Sequence, residues 1–155
     1  MTSKTLKLLA QDAQDVQVIA AVLQDAIAPL ADMTFRAAET SFVMVVQRFC
    51  WDDAALSGHG LLAQAASEDE PALEVFERIN CALDIEGVES VQTLGIDTGN
   101  PAMILELLTI AADDDALELI FAGGGKIRLN AKKWRIRLHD FGESWPTTHC
   151  PRHAT

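Results

Sequence analysis

The chain has 155 residues, 49% of them hydrophobic, and a formal net charge of −11. That length and apolar content suit one domain with a packed core, no run of about 18 apolar residues is present to span a bilayer as a helix, and the acidity disfavours non-specific binding to a phosphate backbone. The opening Met1-Thr-Ser-Lys-Thr-Leu-Lys7 lacks the apolar run of a secretory signal, and Cys50, Cys81 and Cys150 are odd in number and far apart, so a cytoplasmic protein with free thiols is expected.

Leu6, Leu8 and Leu9 predict a short edge strand. A helix follows, with Asp12 as its N-cap and Asp15 in its first turn, where a carboxylate suits the unpaired backbone N–H groups. Val16, Ile19, Ala20, Leu23 and Ile27 recur at steps of three and four and form one apolar stripe, which Pro29 limits. From Met33 the period becomes two. Met33 to Ala37 reads as a strand, and Phe42 to Trp51 as a longer one. Phe42, Met44, Val46, Arg48 and Cys50 share one of its faces and Val43, Val45, Gln47, Phe49 and Trp51 the other, so a central position is expected.

Asp52 to Pro71 breaks the pattern with Gly58, His59, Gly60 and the acidic run Glu68-Asp69-Glu70, and reads as a long connection. Leu73 to Ile79 fits either a helix or a strand extension. Cys81, Leu83 and Ile85 alternate, Glu86-Gly87 is a turn pair, and Val88, Val91 and Leu94 follow, which predicts a hairpin. Asp97 to Pro101 is a turn cluster, and Met103 to Ala111 is the next apolar run. Leu117 to Ala122 and Lys126 to Asn130 predict strands joined by Gly123-Gly124-Gly125, residues that tolerate the positive φ of a tight hairpin. Residues 131–142 are ambiguous: Trp134, Leu138 and Phe141 follow helical spacing, whereas Trp134, Ile136 and Leu138 alternate. Gly142 as a C-cap favours the helix. Residues 1–145 are expected to form one globular domain and 146–155 an irregular tail.

Several landmarks occur together: Val45-Val-Gln-Arg-Phe-Cys-Trp51, Val91-Gln-Thr-Leu-Gly-Ile-Asp97, Glu118-Leu-Ile-Phe-Ala-Gly-Gly-Gly-Lys-Ile-Arg-Leu129 and Gly142-Glu-Ser-Trp-Pro-Thr-Thr-His149. In them the chain resembles, over nearly its whole length, a family of small bacterial proteins of unknown function. The resemblance implies no catalytic residues.

The charge anomaly is local. Six of the twelve Lys and Arg residues (Lys126, Arg128, Lys132, Lys133, Arg135 and Arg137) lie in a segment without Asp or Glu. Lys126, Arg128, Lys132, Lys133, Trp134 and Arg137 are therefore candidate partner-binding residues for an acidic partner, with Trp134 as an anchor. The competing reading is neutralisation by the chain's own carboxylates. The glycine turn beside Lys126 and Arg128 could form an anion nest, against the plainer reading of a hairpin turn. Pro151 opposes a helical metal pair from His149 and His153 with Cys150, Asp113 to Asp115 lack calcium-loop spacing, and no cofactor or metal site is predicted.

The expected fold is α+β: an antiparallel meander of about seven strands between N- and C-terminal helices, possible as a barrel of pleckstrin-homology-like architecture or as a flat sheet with both helices on one face. The expected function is a non-enzymatic binding or interaction domain, with a protein partner or self-association. The alternatives are a small enzyme whose site is assembled from distant residues such as Arg48, His59 and Glu106, and a homodimer joined through an apolar patch.

Overall fold

A computed structural model describes residues 6–50 and 76–147. The long connection read at Asp52 to Pro71 lies outside them, as do His59, His149, Cys150 and His153. Helix α1 (Ala13–Val22) starts as its sequence dictates. Asp12 is extended (φ −143°, ψ 172°) and its carboxylate accepts the Asp15 N–H at 2.8 Å, while the Asp15 carboxylate accepts the Gln11 N–H at 3.3 Å. The exchange satisfies backbone donors that no helical carbonyl can reach. Val16, Ile19, Ala20 and Leu23 are buried. The stripe does not run on to Ile27, however. Leu23 closes the helix by donating to the Ile19 carbonyl at 2.9 Å, and Asp25, at φ 65°, turns the chain into strand β2 (Ala26–Pro29), which pairs with Leu105 and its neighbours. Ile27 sits at a helical spacing by coincidence; strand pairing decides its conformation.

The other strands are β1 (Lys7–Ala10), β3 (Met33–Arg36), β4 (Ser41–Phe49), β5 (Phe76–Glu86), β6 (Ser90–Leu94), β7 (Ile104–Ala112), β8 (Ala116–Phe121), β9 (Lys126–Asn130) and β10 (Arg135–Thr147). They form one antiparallel sheet in the order β1-β10-β5-β4-β2-β7-β8-β9-β6, with β3 also on β4. Period-two burial sends Phe42, Met44 and Val46 of β4, Leu83 and Ile85 of β5, and Ile136 and Leu138 of β10 to one side. There they join Leu117, Leu119 and Phe121 of β8, Ile127 and Leu129 of β9, and α1 in a single buried cluster. On β7 the inward positions change parity from Leu105 and Leu107 to Ile110, because a register shift between Leu107 and Thr109 inserts an extra residue. The halves of the sheet join narrowly: β2 meets β4 through the single pair Ile27–Gln47.

Four expectations are corrected. The described residues hold ten strands rather than about seven, because Ala26–Pro29, whose Ile27 fits the helical stripe, and Arg135–Thr147, whose start fits helical spacing, are both strands. The element at 131–142 is strand, not a C-terminal helix. Residues 135–141 form a ladder with β5 on one side, and 136–139 pair with β1 on the other; a helix here would satisfy its own backbone but leave the facing edges of β5 and β1 without this partner. That strand also runs through Pro146 and Thr147, the first two residues of the expected irregular tail. Neither the barrel nor the simple meander forms. Among the described residues no pairing joins edge strands β1 and β6, and β6 pairs with β9 instead of forming a hairpin with β5. Leu73 to Ile79 resolves in part, since Phe76 onward belongs to β5. The predicted strands β4, β8 and β9 and the glycine connection stand as expected, with Gly123 and Gly124 at φ 86° and 97°. Among the described residues no helix is long and apolar enough to cross a membrane.

Candidate functional site

The sheet leaves an open groove where the end of β5, the β9–β10 turn and the residue after β1 meet. Its lining is Gln11, Glu86, Gly87, Lys133, Trp134 and Arg135. The turn is held close by glycine chemistry. Gly87 has φ +90°, and a Cβ there would overlap the carbonyl oxygen of Lys133. Only a residue without a side chain lets the two backbones approach so closely. Gly87 and Val88 both donate to the Thr40 carbonyl, at 2.8 and 2.9 Å, which ties the groove floor to the start of β4. Trp134 is half-buried against the core, with Lys132, Lys133 and Arg135 exposed around it.

The structure separates the sequence candidates into two groups. Lys126 and Arg128 lie on β9, in the far half of the sheet. Arg128 pairs with Glu118 at 3.0 Å and with Asp113 at 3.6 Å, and Lys126 pairs with Glu118 at 3.6 Å. The chain's own carboxylates neutralise this group. Lys133 and Trp134 line the groove, with the exposed Lys132 just before them in the β9–β10 turn, and Arg137 lies on β10. Arg137 pairs with Glu86 at 3.1 Å in an exposed contact. Among the described residues Lys7, Lys132, Lys133 and Arg135 have no ion pair. Because β10 is a strand, Arg135, Arg137 and His139 share its outer face, and β1 sets Lys7 opposite His139 and Leu9 opposite Arg137. Lys7, Gln11, Glu86, Gly87 and His139 were not singled out as site residues from sequence. Only the β1–β10–β5 register brings them beside the basic run.

A second cluster lies inside. Arg48 is buried and clamps Asp140 in a bidentate pair, Nε to Oδ1 at 2.8 Å and Nη2 to Oδ2 at 2.7 Å. Asp140 also accepts the Leu6 N–H at 2.9 Å. Burial favours the neutral carboxyl, but the Arg48 hydrogen bonds, the Leu6 N–H, the Arg48 charge and the Cys81 thiol outweigh it and hold Asp140 below its ordinary value. Burial, then the charge and hydrogen bond of Asp140, push the Cys81 thiol well up, against smaller opposing effects of Arg48 and the His139 backbone. A thiol held protonated in this way is a poor nucleophile. Cys50 and Cys81 are both buried.

Arg48 and Glu106 do not meet. Gln47, Ile27 and Glu106 are successive ladder partners on the outer face, whereas Arg48, one residue on, points into the core. The Asp113 carboxylate accepts the Asp115 N–H at 2.9 Å, closing a turn.

Fold and groove together define an α+β domain whose antiparallel sheet presents a partly cationic outer face. The chain belongs to the family described as "Protein of unknown function (DUF2948)", whose model matches residues 6–153. Among curated proteins and among solved structures, none matches it.

Proposed function

We propose that the chain acts as one non-enzymatic binding domain, which docks an acidic partner against the groove around Trp134 and the adjoining outer face of β10. The observation that carries this reading is the placement of Lys133 and Arg135 beside a half-buried Trp134 in the groove, with exposed Lys132 adjacent in sequence and none of these cations in an ion pair among the described residues, in a chain whose net charge is −11. Exposed cations add little to folding. A half-buried indole flanked by Lys133 and Arg135 offers a partner apolar area beside positive charge, the arrangement in which a few Trp and Arg side chains carry most of the binding energy. Lys126 and Arg128, already neutralised by Glu118, belong to this face less than Lys132, Lys133, Trp134 and Arg137 do.

The test is the anisotropy of a labelled peptide of alternating Glu and Thr titrated with the protein. Binding is expected at low salt and loss of most of it near 1 M salt, where the screening length falls to about 3 Å. Lys132→Gln/Lys133→Gln/Arg135→Gln is expected to weaken it at low salt only. No binding of the acidic peptide, or equal binding of a Lys–Thr peptide, overturns the proposal.

A further inference from the structure

We infer that the docking is strand addition: an extended acidic segment pairs with the free edge of β1. This rests on the acidic-partner reading above and adds to it the conformation of the partner and the place where it binds.

Among the described residues edge strand β1 pairs on one side only, with β10. The hydrogen-bond phase of that ladder follows from its start. The Asp140 N–H donates to the Leu6 carbonyl at 2.9 Å, so Leu6 faces β10. In an antiparallel pair the backbone groups of alternate residues point to the partner. Leu8 and Ala10 therefore also face β10, opposite Leu138 and Ile136, and Lys7 and Leu9 direct their N–H and C=O groups away from the sheet. Such an edge is a template for another strand unless it is covered or blunted. Leu9 is 52% exposed and so covers nothing.

The side chains beside this edge favour an acidic occupant. On the outer face Lys7 and Leu9 stand opposite His139 and Arg137, with Arg135 further along β10. Beyond Ala10 the edge leads to Gln11 and so into the groove with Lys133, Trp134 and Arg135. A four-residue strand covers roughly 13 Å. An added strand of that length would form main-chain bonds to Lys7 and Leu9, and its continuation would reach the groove. Its outward side chains would then lie beside Lys7, Leu9 and Gln11, with Arg137 and Arg135 in the next row. Carboxylates at alternate positions with an apolar side chain beside Leu9 match this arrangement.

Three measurements separate this mode from simple charge attraction. The Glu–Thr peptide is compared with the same peptide N-methylated at alternate residues, which keeps the charge and removes ladder donors. Leu9→Pro removes only an outward N–H, a place where proline is tolerated on an edge strand. Sedimentation of the protein alone reports whether a second copy occupies the edge. N-methylation and Leu9→Pro are each expected to weaken binding roughly tenfold or more, with the thermal unfolding of Leu9→Pro close to that of the parent. If Leu9→Pro does not fold, the N-methylated peptide decides alone. If the unmodified and methylated peptides bind equally, strand addition is overturned while the acidic docking face stands. If neither binds, both fall. A dimer that Leu9→Pro dissociates also overturns the inference, because the edge then belongs to a second copy.

Discussion

The Arg48–Asp140 pair allows the strongest quantitative prediction. Its side chains are 3% and 0% exposed, and two hydrogen bonds of 2.8 and 2.7 Å join them. Replacing Asp140 by Leu takes the bidentate carboxylate from the buried Arg48 guanidinium and removes an acceptor from the Leu6 N–H; replacing Arg48 by Met takes the counter-charge from the buried Asp140 carboxylate. Each single change is expected to cost about 3–5 kcal/mol, a large part of the roughly 5–15 kcal/mol that holds a domain folded. The double variant Arg48→Met/Asp140→Leu removes both charges and is expected to recover most of that loss. Urea denaturation followed by far-ultraviolet circular dichroism measures all four corners of the cycle. If the double variant loses the sum of the single costs, the ion pair is not the source of the effect. The same pair predicts the acid limb. Asp140 is depressed in the folded chain, so its contribution is whole above the unfolded carboxyl value near 3.9 and drains as pH falls through the lower folded value. The double variant should lack that component.

Cys81, with its thiol raised by burial, should resist iodoacetamide in the native protein and react after denaturation, as peptide mass mapping would show; native labelling would contradict the inert-thiol reading. Its raised value also predicts stability that is whole below about pH 8.5 and declines as pH rises, a decline that Cys81→Ala should reduce in alkaline denaturation curves. Gly124→Ala should cost about 1–2 kcal/mol from its positive φ alone, because nothing lies within 4 Å of the added methyl; Gly87→Ala should cost more, since it adds a backbone overlap with Lys133, and equal melting shifts would refute that difference. Lys132→Gln/Lys133→Gln/Arg137→Gln should shift the denaturation midpoint little: the only ion pair it removes among the described residues is the exposed Arg137–Glu86 contact, of about 0–1 kcal/mol.

Local chemistry was legible where one residue decides one feature. Asp12 marks the start of α1, the alternation from Phe42 to Val46 marks β4, and Gly123 with Gly124 mark a turn. The misreadings arise where pairing partners are distant in sequence. Trp134, Leu138 and Phe141 satisfy a helical period while Ile136 and Leu138 satisfy a strand period, and only pairing with β5 and β1 decides between them. Gly87 does end a strand, but the chain then crosses the sheet to β9 rather than returning along β5. The Arg48–Asp140 pair left a trace. Arg48 continues the inward positions of Phe42, Met44 and Val46, and Asp140 continues those of Ile136 and Leu138. A charge in phase with a buried face needs a buried opposite charge, and matching two such positions 92 residues apart could have found the pair. The groove had no such trace, since Gln11, Glu86 and Trp134 share no local pattern.

Strand β10 lies between β1 and β5, both of which precede it in the chain. During synthesis, which proceeds from the N-terminus, β1 is made early and has no partner until residues 136–139 emerge, and the Leu6–Asp140 contact spans 134 positions. The nascent chain must therefore carry an unpaired Leu-rich strand for most of its translation. Stalling or truncation between β5 and β10 would leave the facing edges of β1 and β5 both without the strand that joins them, a product suited to capture by chaperones and to clearance by proteases.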